Sequence, residues 1–236
     1  MLGYSEIVKK LRKIKKRRYI KTHRKGPTGI GKTLEDLLGI KENNIPGPNG
    51  HMIELKSARK GSKSMLTLFT KSPLPKKANS VLLGTFGYPS PERKGEKVLH
   101  TTVNATSYNK LKGNKGFKIY VKGEKVALIS KTRKILGYWD KKMLKKCFEH
   151  KLPALMYVQA DTRTNASGDE EFWFNEAWFL KEFNFRNFVK LLKEGVIVVD
   201  IRIGQYPDGR PHDHGTGFRV FPDKLELCFS NRKRIM

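Results

Sequence analysis

Three side chains early in the sequence have the types and spacing for phosphodiester chemistry. The segment "IELK" at 53–56 carries Glu54 and Lys56 two positions apart, and Glu35 lies nineteen positions before Glu54. In a strand, residues i and i+2 project from the same face, so Glu54 and Lys56 emerge together. A carboxylate beside an ammonium, preceded by the turn "NNIPGPNG", is a pattern for Mg²⁺-assisted phosphodiester hydrolysis. Oxygen ligands suit Mg²⁺. The ion polarises phosphate and activates water, while a lysine orients that water or offsets developing charge. Alone, E-x-K is more often a surface ion pair. Its weight here comes from the hydrophobic strand, the upstream turn and the charge of the chain taken together.

A second motif competes for attention. "GPTGIGKT" at 26–33 fits the phosphate-cradling pattern G-x4-G-K-[ST], and "VIVVD" at 196–200 has the form of its acidic partner strand. Such a loop needs a buried hydrophobic strand immediately before it, yet "RRYIKTHRK" precedes it. A short helix, a turn and consecutive strands follow, in place of repeated strand–helix crossovers. A P-loop NTPase is therefore kept only as a remote alternative, and no ATP is expected. Lys32 and the loop amides retain a use as a phosphate contact at a helix N-terminus.

Near the end, "RPHDHGTGFR" holds Arg210, His212, Asp213, His214 and Arg219, shortly after Asp200 and Arg202. A metal site on His212 and His214 lacks further ligands at suitable spacing. A self-satisfied loop and a base-reading hairpin both remain open. Arginine pairs bidentately with guanine, and aspartate accepts from cytosine N4.

Composition narrows the partner. Lys plus Arg number 49 against 22 Asp plus Glu, a formal net charge of +27. That excess points to a polyanion, most simply nucleic acid, with an anionic membrane surface second. No apolar run is long enough to span a bilayer, so no membrane partner is expected. Cys147 and Cys228 form no CxxC pair, and the N-terminus lacks a signal-type apolar core. The expected setting is cytoplasmic, of a prokaryotic or phage type.

These groups need elements to position them. Tyr4, Ile7, Val8, Leu11 and Ile14 follow helical spacing over 4–18, with cations on the other faces. Helices are also expected over "KTLEDLLGI", closed by Gly39, over "DKKMLKKCFEH" and over "FRNFVKLLKEG". Strands are expected over "HMIELKSA", "SMLTLFTK", "KVLHTTV", "GFKIYVKG", "KVALISK", "ALMYVQADT", "EEFWFNEAWFL", "VIVVDIRIG" and "TGFRVF". "SPLPKKANS" and "GYPSPERKGEK" read as loops. The mixture indicates an α/β fold with a mixed sheet.

Four ordered stretches, "RKGPTGIGKTLEDLLGI", "PGPNGHMIELKSARK", "SMLTLFTKSP" and "VDIRIGQYPDGRPHDHGTGFRV", resemble the MvaI/BcnI family of restriction endonucleases. These are MutH-like members of the PD-(D/E)xK nuclease superfamily. The resemblance implies a PD-(D/E)xK core, a central mixed β-sheet flanked by helices, and two lobes forming a DNA-binding cleft. The lobes are expected at 1–125, mainly catalytic, and 126–236, mainly DNA recognition. It implies a monomeric type II enzyme that hydrolyses double-stranded DNA with Mg²⁺, or Mn²⁺ in its place, leaving 5′-phosphate and 3′-hydroxyl. The implied target is a short interrupted C/G site, CCWGG-like ahead of CCSGG-like. Matched to the family's motif, Glu35 is the helix acid, Glu54 the metal ligand and Lys56 the catalytic lysine. The hairpin with Asp200 and Arg202 then enters the major groove, and Lys71 and His100 approach phosphate. Asn49 stands where the pattern has Asp, as metal ligand and catalytic residue. An Asn oxygen brings no charge to the ion, so the alternative is a catalytically inactive, sequence-specific DNA-binding protein.

Overall fold

The computed structural model describes residues 3–40, 53–111, 116–152 and 154–236. Its elements run in the order α1 (Tyr4–Lys16), β1 (Ile20–Lys21), α2 (Gly29–Leu38), β2 (Glu54–Arg59), β3 (Leu66–Thr70), α3 (Ala78–Phe86), β4 (Tyr88–Pro89) and β5 (Lys97–Val103). There follow β6 (Phe117–Lys122), β7 (Lys125–Ser130), β8 (Ile135–Asp140), α4 (Lys141–Lys151), β9 (Ala154–Thr164), β10 (Glu170–Lys181) and α5 (Phe185–Lys193). The chain ends with β11 (Ile197–Gln205), β12 (Pro211–Asp213), β13 (Gly217–Val220), a 3₁₀ turn (Pro222–Leu227) and β14 (Asn231–Arg234). The turn "NNIPGPNG" lies outside the described residues.

The chain divides into two compact units: Met1–Ser64 with His150–Phe183 and Phe229–Met236, and Met65–Glu149 with Asn184–Cys228. This differs from a single boundary at 125/126, a point that falls at the first residue of β7, inside the second unit. The reason is sheet completion. β2 needs a partner, and finds it in β9, about a hundred residues later.

In the first unit the sheet order is β1-β10-β9-β2, with β14 also on β10. β2 and β9 run parallel, whereas β1, β9 and β14 are antiparallel to β10, so the sheet is mixed as expected. One face is apolar. Leu55, Met156, Val158, Phe172 and Phe174 pack there against Ile7, Leu11 and Ile14 of α1 and Ile30, Leu34 and Leu38 of α2. The aromatic run of β10 therefore serves the core. Burial of each such side chain contributes roughly 1.5–3 kcal/mol. Gly39 adopts φ 75° and closes α2 with a left-handed cap, as its position suggested.

The second unit holds a sheet of order β3-β13-β11-β5-β4, with β12 on β11, and a separate antiparallel β6-β7-β8 meander. Asn184 caps α5 by accepting from the Asn187 N–H at 2.8 Å. An aromatic cluster centres on Phe218, whose ring lies 4.8 Å from Phe69, 5.3 Å from Trp139 and 5.6 Å from Phe188.

Several elements depart from the expectations, among them β4, which lies inside "GYPSPERKGEK", read as a loop, and β12. α3 begins within the stretch read as a loop, because its Asn, Ser and Gly hide a helix supported by the buried Ala78, Leu82, Leu83 and Phe86. β8 and β1 carry no separable period-2 signal. β14 is "NRKR", exposed along its length and paired through its backbone with β10, with Asn231 donating to Glu182 and Arg234 over the Trp178 ring. Phe218 is fully buried at the meeting point of several rings. Phe218→Ala should therefore cost about 3–5 kcal/mol in urea denaturation. A loss under 1 kcal/mol would show that the cluster does not support the second unit.

Candidate active site and base-reading hairpin

On β2, the alternation "IELKSA" sends Leu55 into the helix-covered core and turns Glu54 and Lys56 to the opposite face. Glu54 is 2% exposed, and Lys56 Nζ lies 2.9 Å from its Oε1. A carboxylate this deeply buried is costly without a cation beside it. The same face continues across the ladder. Lys56 is in register with Tyr157, which is in turn in register with Trp178 on β10. A bulge between Phe174 and Glu176 re-aims the local side chains. There Lys60 Nζ reaches Asp161 at 3.5 Å and Glu176 at 3.4 Å, and Trp178 Nε1 donates to Glu176 at 2.8 Å. That indole donation, with Lys60, holds the Glu176 carboxyl below its usual range despite partial burial. Burial, with Glu176 nearby, pushes the Tyr157 phenol up to about 12.

α2 runs antiparallel to β2. The Arg59 guanidinium donates to the carbonyls of Gly26 and Pro27 at 3.3 and 3.2 Å, and Gly31 sits against Ser57. The next helical turn carries the half-buried Glu35 toward the end of β2 where Glu54 begins. Glu54 and Lys56 share the sheet face opposite the Leu55 core. Asn49, the remaining predicted ligand, lies outside the described residues.

The "GPTGIGKT" side chains are occupied within the fold. Thr33 is fully buried, donates its hydroxyl to the Gly29 carbonyl at 2.8 Å and accepts from the His23 N–H at 2.9 Å. Lys32 Nζ is 2.6 Å from Asp36, which also meets His23 Nδ1 at 3.0 Å. Lys32, first, and His23 keep the Asp36 carboxyl below its usual range. A Cβ on Gly29 would stand 2.2 Å from the Arg24 carbonyl, so this glycine permits a close backbone approach. The strand before the loop is the two-residue β1, antiparallel to β10, where a P-loop needs a central parallel strand. The nucleotide-loop reading fails on that architecture.

In the second unit the hairpin is built on β11, β12 and β13. Asp200 is 1% exposed, accepts from Thr102 at 3.1 Å and Arg202 Nε at 2.8 Å, and forms an ion pair with Arg219 Nη2 at 3.1 Å. Asp200, expected at the reading end, is buried and engages two arginines. Asp213 likewise has a structural task. It accepts from Ser72, Asn79 and the Gly215 and Thr216 amides, at 2.6, 3.2, 2.9 and 2.6 Å. Burial opposes its charge, but those donors outweigh it and hold the carboxyl below the usual range.

The remaining predicted readers come together along one edge. His100 is the cross-strand partner of Arg202, and its ring centroid is 6.4 Å from that of His214. The His214 and His212 rings are 4.3 Å apart, and Tyr206 lies 4.6 Å from His212, with Arg210 over Tyr206. A Cβ on Gly204 would be 2.4 Å from His214 Nε2, so the glycine makes room for that ring. Lys71 is fixed through its backbone, donating to the Thr216 carbonyl and accepting from Trp139 Nε1. Sequence reasoning passed over Tyr157, Tyr206, Thr102, Ser72 and Asn79. Only the odd-position alternation of "ALMYVQADT", which places Tyr157 opposite the core face, offered a signal.

Partial burial, then Arg202 and His214, lowers the His100 pKa; partial burial, then His212 and Arg93, lowers that of His214. Both rings are therefore neutral at pH 7. The unfolded chain takes up protons first as pH falls below about 6.5, so the folded state loses stability through that window. His212→Ala should move the His214 titration, followed by NMR, up toward the ordinary value. An unchanged titration would show that the two rings are not neighbours.

The MvaI/BcnI restriction endonuclease family model matches residues 8–229. A solved restriction endonuclease MvaI–cognate DNA substrate complex is 30% identical, with TM-score 0.86 over 100% of both chains. The structure of restriction endonuclease MvaI in the absence of DNA is 31% identical, with TM-score 0.61 over 100% of this chain and 99% of that one. No curated protein sequence matches. The chain belongs to the MvaI/BcnI restriction endonuclease family, and is a site-specific deoxyribonuclease.

Proposed function

We propose that this chain cuts double-stranded DNA at a short interrupted C/G-rich site, CCWGG-like, as a Mg²⁺-dependent monomer. The first unit hydrolyses and the second reads. The observation that carries this reading is the Glu54–Lys56 pair, 2.9 Å apart on the sheet face opposite α1 and α2. The family generally uses a divalent metal ion. Glu54 is a buried oxygen donor of the kind that suits Mg²⁺. No cluster of three His, Cys, Asp or Glu able to hold a metal occurs among the described residues. Glu54 with Asn49 gives one carboxylate where the family pattern has two.

When bound, the ion would polarise the scissile phosphate and acidify a water. Lys56 orients that water and offsets charge on the phosphate. Glu35 supports the site from α2. Arg202, held at Asp200, and the row from His100 to Arg210 meet base edges or phosphates, and Arg219 stiffens the same clamp. The bound duplex named for the MvaI complex supports duplex DNA as the substrate. A monomer on a near-palindrome cuts the two strands in separate binding orientations.

Asn49 favours a second reading, a DNA-binding protein that does not cut. Incubation with plasmid of known sequence and Mg²⁺, followed by end mapping, separates the two. The expected outcome is slow or absent cutting by the unaltered chain, cutting at CCWGG sites by Asn49→Asp, and loss of cutting when Lys56→Ala is added. An Asn49→Asp protein that binds its site and Mg²⁺ yet never cuts would favour the second reading.

The hairpin carries its own test. Gly204→Ala forces the His214 ring to move, so preference for the specific duplex should fall by a factor corresponding to about 1–3 kcal/mol. Non-specific binding at the same salt should hold. Equal losses on specific and random duplexes would assign His214 to phosphate or to the fold.

A further inference from the structure

Strand parity puts a phenol beside the lysine. β2 and β9 are parallel, with Lys56 and Tyr157 as Cα partners, so both side chains leave the same face. Tyr157 is 5% exposed, and its hydroxyl is buried with no hydrogen-bond partner among the described residues. A buried hydroxyl without a partner lowers stability, and Phe at this position would fold at least as well. Folding therefore does not account for this oxygen.

The site's own chemistry does. Lys56 has three donors and holds Glu54 Oε1 at 2.9 Å. A cation taken up at Glu54 competes with that ammonium for the same carboxylate, so Lys56 then needs another acceptor on the same face. Asp161 and Glu176 are already engaged by Lys60, and Glu176 by Trp178 as well. Ser57 projects toward α2 on the other face. The Tyr157 oxygen is in register with Lys56 and uncommitted.

We propose that Tyr157 is a positioning residue, the second seat of Lys56, accepting its ammonium when Glu54 turns to a divalent cation. Lys56 then stays at the reacting phosphate while leaving the carboxylate to the ion. A neutral phenol suits this task, since it accepts from an ammonium without adding a competing carboxylate. The inference rests on the nuclease reading of Glu54 and Lys56.

Tyr157→Phe removes one oxygen and tests it. Thermal unfolding in EDTA should be unchanged or raised. In a Mn²⁺ titration of DNA-free protein followed by thermal shift, the midpoint should rise about tenfold, the size of one hydrogen bond to a charged group. In the Asn49→Asp background, single-turnover cleavage with Mn²⁺ should slow by a similar factor, at unchanged DNA affinity in Ca²⁺. In a Lys56→Ala background the same substitution should leave the Mn²⁺ midpoint where it was. A Tyr157→Phe protein that matches the unaltered chain in Mn²⁺ midpoint and rate overturns this inference alone. So does an equal Mn²⁺ shift with and without Lys56, or a clear loss of stability in EDTA. An unaltered chain that neither responds to Mn²⁺ nor cuts, even as Asn49→Asp, overturns the nuclease reading with it.

Discussion

The contact between Lys56 and Glu54 sets the terms for the first unit. A carboxylate 2% exposed is tolerable only with its cation at 2.9 Å and a rigid strand beneath both. That strand is rigid because Leu55 locks into a core shared with α1, α2, β9 and β10. The two faces of the sheet thus divide the work. One is apolar and covered, and the other carries Glu54, Lys56, Tyr157, Lys60 and Glu176. A divalent ion would compete with the Lys56 ammonium for Glu54, since it carries the larger charge.

The second unit uses a buried carboxylate differently. Asp200 is 1% exposed and holds Arg202 and Arg219, whose side chains are 41% and 23% exposed. The acid is an anchor, and the guanidiniums are presented with part of their rotamer freedom already removed. Arginine suits this role because its planar fork can hold one partner while offering donors to another. Asp213 does the same for backbone, fixing the Gly215 and Thr216 amides so that the hairpin returns under Gly204 and the histidine rings.

Much of the first site was legible because its logic is local. Two residues apart on an amphipathic strand means one face, and glycines before a helix mean close backbone approach, as Gly29 bears out. The resemblance supplied the roles. Long-range pairing was not legible. Nothing in "IELK" names β9 as its neighbour, so Tyr157 is not among the site residues the sequence offers. The discontinuous make-up of the two units was not legible for the same reason, because β9 and β10 return to a sheet begun at β2. The partners of Asp200 were not legible either, because "VVDIR" does not reveal Thr102 and Arg219 beside its carboxylate. β14 escaped because its four polar residues carry no apolar alternation, and its pairing partner β10 lies far away in sequence.

The central claim is that Glu54 is the ligand around which the catalytic unit is organised. Crystals of the chain with duplex DNA and Mn²⁺, measured at a wavelength where manganese scatters anomalously, test it directly. The account predicts an anomalous peak within coordination distance of the Glu54 carboxylate, with the Lys56 ammonium displaced from Oε1. A peak elsewhere on the chain, with Lys56 still bound to Glu54 and the DNA nonetheless cleaved, would contradict it.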